Sequence, residues 1–213
     1  MATFTGYPAA TADDGYEEAA ASWAIYPLIV GDTYNAGIRF PSVTVPQGAT
    51  ITSATITLHA ERFSGTITNV HAIQKGDDVD DAAAWSSTSR PSQITPTTAS
   101  GVDWDPTAWT SNAAYVLPAI TDIVQEIVSR AGWASGNAMR FAILDDGSSA
   151  SAYARGWEYG DGGGETYNPK LTIEYTEGGA GLTFTATDAQ GTQADTTAGF
   201  RTMAATVTDN LNA

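Results

Sequence analysis

Four aspartates occupy five consecutive positions at Asp77, Asp78, Asp80 and Asp81. Carboxylates gathered this closely offer the hard oxygen ligands that calcium takes. The loop is therefore the candidate calcium site, with a solvated acidic loop as the competing reading. Asp13 with Asp14, Asp103 with Asp105 and Asp145 with Asp146 are smaller clusters of the same kind, and none of these groups has EF-hand spacing. A calcium ion held in such a place would fasten a loop rather than drive a reaction.

A second constellation is aromatic. Trp104 and Trp109 in "DWDPTAW", with Arg155, Trp157, Tyr159 and Asp161 in "ARGWEYGDGG", carry flat rings beside hydrogen-bonding groups. Exposed rings of this kind stack on pyranose faces while the polar groups hold hydroxyls, so these six residues are a candidate glycan platform. The competing reading is packing, since tryptophan and tyrosine bury large areas in cores and between loops.

Catalytic chemistry finds less support. The chain has no cysteine and two histidines, His59 and His71, at outward or ambiguous strand positions. No Gly-x-Ser-x-Gly elbow, His-Glu-x-x-His pair or phosphate-binding loop occurs. Paired carboxylates for glycoside hydrolysis depend on a separation in space that sequence does not give. The expectation is a protein that is not an enzyme.

The elements that must position these residues are mostly strands. From Ser53 to Ala60, Ala54, Ile56, Leu58 and Ala60 alternate with Ser53, Thr55, Thr57 and His59, and Thr52 is expected on the apolar side as well. Ala36, Ile38 and Phe40 alternate with Gly37 and Arg39; Met139, Phe141 and Ile143 share a side; Leu171, Ile173 and Tyr175 alternate with Lys170, Thr172 and Glu174. The stretch Trp23–Gly31 is apolar, and Gly65–Gln74 reads as a strand with a bulge near Asn69. Many short strands with Gly and Pro punctuation predict a mainly all-β, jelly-roll-like sandwich. One segment differs: Ile120, Ile123, Val124, Ile127 and Val128 have helical spacing, predicting an amphipathic helix over about 118–131 that covers one end of the sandwich. Between Gly76 and Pro118 the pattern is that of a long loop, for which Trp85, Trp104 and Trp109 are the candidate pins.

The division expected is a sandwich domain over 1–176 and a Gly-hinged C-terminal arm over 177–213. The arm has few large apolar residues, among them Leu182, Phe184, Phe200 and Met203. So short a segment rarely buries enough surface to fold alone, so it is either mobile or ordered by another surface. No internal repeat is evident.

Charge narrows the partners. Twenty-four acidic against nine basic residues give a formal net charge of −15. Such a field repels phosphate backbones and anionic bilayers, so neither nucleic acid nor membrane is an expected partner. The N-terminus has no basic start and no apolar run of signal-peptide length, so export by the ordinary route is not expected.

Taken in order, "DDGY", "LIVG", "GIRFPSVTVPQGATITSATITLHA", "ITDIVQEIVSRAGWASGNAMRFAIL" and "YNPKLTIEYT" resemble a known family. From about Ala12 to Tyr175 the chain is similar to DNRLRE-type β-sandwich domains, which are akin to carbohydrate-binding modules. Sequences like its helix segment also occur in virion proteins of tailed phages. The resemblance implies a jelly-roll-like sandwich, either extracellular or surface-displayed, or part of a virion assembled in the host cytoplasm. The leading expectation is a structural component of a tailed-phage particle, a capsid decoration protein or a tail or spike component. It would be a homo-oligomer that docks to other virion subunits by its arm. The alternative is a carbohydrate-binding module or host-glycan adhesion domain whose partner is a surface polysaccharide.

Overall fold

The computed structural model describes residues 1–19, 21–64, 66–160 and 166–177. Its strands form two sheets with every ladder antiparallel, a mainly-β sandwich with a single α-helix among the described residues. The first sheet runs β1 (Ala2–Gly6), β12 (Lys170–Thr176), β6 (Thr50–Ser64), β11 (Tyr153–Gly156), β4 (Leu28–Val30), with β9 (Ala114–Val116) also paired to β6. The second runs β3 (Ser22–Ala24), β2 (Asp14–Glu18), β5 (Tyr34–Phe40), β10 (Met139–Asp145), β7 (Ala72–Gly76), β8 (Val102–Trp104).

The alternations place the core as expected. In the β5–β10 ladder Phe40 lies opposite Met139, Ile38 opposite Phe141 and Ala36 opposite Ile143, all buried. From the other sheet Leu171, Ile173 and Tyr175 of β12 meet Ile56, Ala54 and Ile51 of β6. Each of the Ile, Leu, Met and Phe side chains contributes about 1.5–3 kcal/mol by leaving water, and both inner faces belong to one cluster.

Four expectations are corrected. The segment between Gly76 and Pro118, expected as a long loop, contributes the strands β8 and β9. Thr52 is exposed and Ile51 buried, because the β6–β12 register shifts between Glu174 and Tyr175 and the Thr52 hydroxyl donates to the Glu174 carbonyl at 3.0 Å. The bulge exchanges the faces of the residues before it. The apolar stretch 23–31 becomes two short strands in different sheets, β3 and β4, with the cis Tyr26–Pro27 bond between them. Within 65–74 a 3-10 turn over Ile67–Asn69 precedes β7, which starts only at Ala72. The Ser148 hydroxyl accepts from the His71 N–H at 2.9 Å and donates to its carbonyl at 3.0 Å, occupying the backbone that the strand would have used.

The helix α1 spans Thr121–Ser129, within the expected range but shorter. Leu117 and Ile120 still donate to the Ile56 and Ala54 carbonyls, so the chain up to Ile120 runs along β6 before it can coil. Ile123, Val124, Ile127 and Val128 are buried against β6 of one sheet and β7 of the other. Gly76 of β7 makes the seat: a Cβ there would stand 2.4 Å from Ile123 Cγ2. Gln125 ties the helix to the start of β6, accepting from the Ile51 N–H at 2.8 Å and donating to the Ala49 carbonyl at 3.0 Å.

Candidate functional site

The four clustered aspartates do not converge. Asp77 is buried and accepts from Arg140 Nε at 2.6 Å and from the Thr95 N–H at 2.9 Å. Asp78 and Asp80 both grip Arg130, Asp80 at 2.6 Å from its Nε, and Asp81 accepts from the Ala138 N–H at 2.8 Å. These bonds hold Arg130 more firmly protonated than usual, chiefly through the hydrogen bonds it donates to the two carboxylates. The expected calcium cradle is thus replaced by ion pairs and backbone bonds that fasten the loop to the sheet. Among the described residues no three His, Asp or Glu side chains come together so as to hold a metal ion.

The same use of charge recurs nearby. Asp13 takes Arg39 Nη1 at 2.7 Å on one oxygen and the Ala9 and Ala10 N–H groups at 3.0 Å on the other. Fully buried Glu17 accepts from Arg90 Nε at 2.9 Å and from the Ser92 hydroxyl and N–H at 2.8 Å. Glu126 of the helix accepts from the Thr98 and Ala99 N–H groups. The long segment after Gly76 is therefore pinned by carboxylates as well as by Trp85, Trp104 and Trp109, all three buried.

That burial corrects the glycan platform. Trp104 and Trp109 are 6% and 4% exposed, too little to offer a face to a sugar. Their centroids are 5.6 Å apart, Trp109 stacks on Tyr115 at 4.8 Å, and its Nε1 donates to the Arg155 carbonyl at 2.9 Å. Arg155 is mostly buried as well, paired with Glu61 at 2.8 Å. Trp157 and Tyr159 are half-buried. Trp157 stacks on Tyr167 with centroids 5.8 Å apart, anchored by its Nε1 on Asn112 Oδ1 at 3.0 Å, while His59 meets Tyr167 edge-on at 5.3 Å. Burial holds the His59 imidazole below its ordinary range. Asp161 and the arm residues Leu182, Phe184, Phe200 and Met203 lie outside the described residues.

Two features escaped the sequence reading. A cleft of about 630 Å³ is lined by Thr5, Gly6, Tyr7, Pro8, Ala9, Tyr159, Thr166 and Asn168. Beside it Asp14 is fully buried: Oδ2 accepts from the Tyr159 N–H at 3.0 Å, and Oδ1 has no hydrogen-bond partner among the described residues. Burial pushes the Asp14 carboxyl up to about 8, the Tyr159 N–H opposing and the Asp13 charge adding. The other feature is β1 itself, signalled only by Phe4 between Thr3 and Thr5.

No protein-family model matches the chain, and no curated relative does. No helix among the described residues is long and apolar enough to cross a membrane.

Proposed function

We propose that this chain is a non-enzymatic structural protein of a tailed-phage particle, a capsid decoration protein or a tail or spike component, docking to other virion subunits by its C-terminal arm. The supporting observation is where its charged side chains go. Asp13, Glu17, Asp77, Asp78 and Asp80 each meet an arginine that reaches across the fold and fixes a loop. A sandwich whose loops are braced in this way offers a rigid body to neighbours, and the likeness of the segment "IVQEIV…GWASGNAM" to sequences in tailed-phage virion proteins accords with that use. Removing the residues after Gly178 tests the reading. The shortened chain should keep its fold and fail to enter virions; incorporation at the normal level would sink the proposal.

A second reading, a host-glycan adhesion domain, is favoured among the described residues at the half-buried Trp157–Tyr167 stack. Titration of the full chain with a glycan panel, with Trp157→Ala as control, separates the two. Glycan binding lost in the variant supports adhesion, whereas binding that is absent or unchanged removes this stack as a platform.

A further inference from the structure

We propose that the groove between β8 and the start of α1 takes an arginine side chain from a basic partner polypeptide. The groove has a volume of about 450 Å³. Val102 and Asp103 of the edge strand β8 stand on one wall, and Ala119, Asp122 and Ile123 stand on the other. The second wall is the stretch that runs along β6 by the Leu117 and Ile120 N–H bonds and then coils into α1. The groove thus opens between the two sheets.

Beneath it runs Gln74. Its main chain lies opposite Val102 in the β7–β8 ladder, and its Nε2 donates to the carbonyl of Pro118, next to Ala119, at 3.0 Å. The side chain therefore reaches from one wall to the other, and it is 1% exposed. A carbonyl only accepts, so the end bonded to Pro118 is the amide nitrogen and the other end is the oxygen. That Oε1 has no hydrogen-bond partner among the described residues. A bare acceptor in the interior is costly and rare in folded proteins. An apolar side chain would pack at this place without that cost, so the oxygen calls for a donor that enters by the groove.

Two carboxylates set the charge of that donor. Asp103 and Asp122 are exposed, line opposite walls and form no ion pair among the described residues. No Lys, Arg or His is among the described residues that line the groove. A divalent ion is less well served than an organic cation, since among the described residues no three His, Asp or Glu side chains come together to hold one. A guanidinium presents five donors in a planar fork, and its methylene stem suits the apolar surface of Val102, Ala119 and Ile123.

The fold already fills such acceptor sets in this way. Arg39 donates to the Ala82 carbonyl and to Asp13, each at 2.7 Å. Arg140 donates to Asp77 at 2.6 Å and to the Ser89 hydroxyl at 2.8 Å. A net charge of −15 disfavours a second copy as the source and favours a basic partner. The proposal goes beyond the virion reading and needs neither that reading nor the arm.

The test follows the backbone and side-chain amide signals of isotope-labelled full-length chain by NMR. The probe is acetyl-Gly-Arg-Gly-amide, with the same peptide carrying citrulline, the uncharged counterpart of arginine, as control. The expected result is a saturable shift of the Gln74 side-chain amide and of the Val102 and Ile123 N–H signals with the arginine peptide alone. The Asp103→Asn, Asp122→Asn double variant, changed only at exposed positions, should bind at least about tenfold more weakly. Equal binding of the citrulline peptide overturns the cation. Undiminished affinity in the double variant, or shifts that leave the Gln74 amide unmoved, overturn the groove as the seat. Calcium chloride alone giving the same shifts overturns the polypeptide as occupant. No saturable shift at all overturns the site. The virion reading is tested separately, by the truncated chain, and stands or falls on that result.

Discussion

The Arg140 guanidinium donates to the Asp77 carboxylate at 2.6 Å, with the two side chains 11% and 1% exposed. The same guanidinium lies 4.5 Å over the Trp85 ring, and the Asp77 N–H donates to the Arg140 carbonyl at 3.1 Å. One pair thus joins β10, the end of β7 and the loop that follows. Removing one partner of a buried pair leaves the other charge uncompensated, at a cost of about 3–5 kcal/mol. Asp77→Ala should lower the urea midpoint accordingly at unchanged m-value, and a loss under about 1 kcal/mol would show that the pair is not a brace.

The same geometry governs the response to divalent cations. Asp77, Asp78, Asp80 and Asp81 already accept from Arg140, Arg130 and the Ala138 N–H. Calcium would have to displace those donors. Thermal unfolding of the full chain in millimolar calcium and in excess chelator should therefore give the same midpoint. A calcium-dependent rise that Asp78→Asn abolishes would restore the aspartates as ligands.

Asp14 makes stability depend on pH in the direction opposite to a salt-bridged carboxylate. Its folded value is raised from 3.8 to about 8, so between those values the folded chain holds a proton that the unfolded chain has released. The contribution is fully present below about pH 4, is lost as pH rises, and is gone above about 8, with a slope near 1.4 kcal/mol per pH unit for one proton. Asp14→Asn, which cannot ionise, should flatten this part of the profile in urea titrations from pH 5 to 9. A variant profile as steep as that of the original chain would assign the effect elsewhere.

Trp109 should behave as core. It packs between Trp104 and Tyr115, and its Nε1 is bonded to a backbone carbonyl. Truncating a buried tryptophan costs about 3–5 kcal/mol. Trp109→Ala should thus unfold early in denaturant. A variant of unchanged stability with lost glycan binding would return Trp109 to the surface platform.

What was legible in the chain was whatever depends on near neighbours. Ile38 and Phe40, Phe141 and Ile143, Leu171 and Ile173 declare their strands by alternation, and Ile123, Val124 and Ile127 declare the helix by its period. The acidic run misled because its counter-charges are far away in sequence. Arg140 and Asp77 are 63 residues apart, and Arg130 and Asp78 are 52. Read locally, four carboxylates without partners look like ligands. Trp104 and Trp109 left two readings open, pins or platform, because the sequence around them is polar and only the folded chain shows what covers them. Short β1 was overlooked because a single phenylalanine between threonines is a weak signal until β12 supplies the register.

The seat of α1 on β7 gives the last prediction. Gly76 lies opposite Phe141 in the β7–β10 ladder and directly under Ile123, whose Cγ2 would be 2.4 Å from an added Cβ. Neither the strand nor the helix can shift freely, because Gln125 fastens α1 to Ile51 and Ala49. Overpacking of this kind costs about 1–3 kcal/mol, and Ile123→Ala alone costs about 2–5 kcal/mol by opening a cavity. The two changes act on one volume, so they should not add. With Ile123→Ala present the methyl group of Gly76→Ala enters the space just vacated. The double variant should therefore be more stable than the sum of the single losses by at least about 1 kcal/mol. Full additivity in a double-mutant cycle would mean that the helix rests elsewhere, and that the glycine is there for the strand alone.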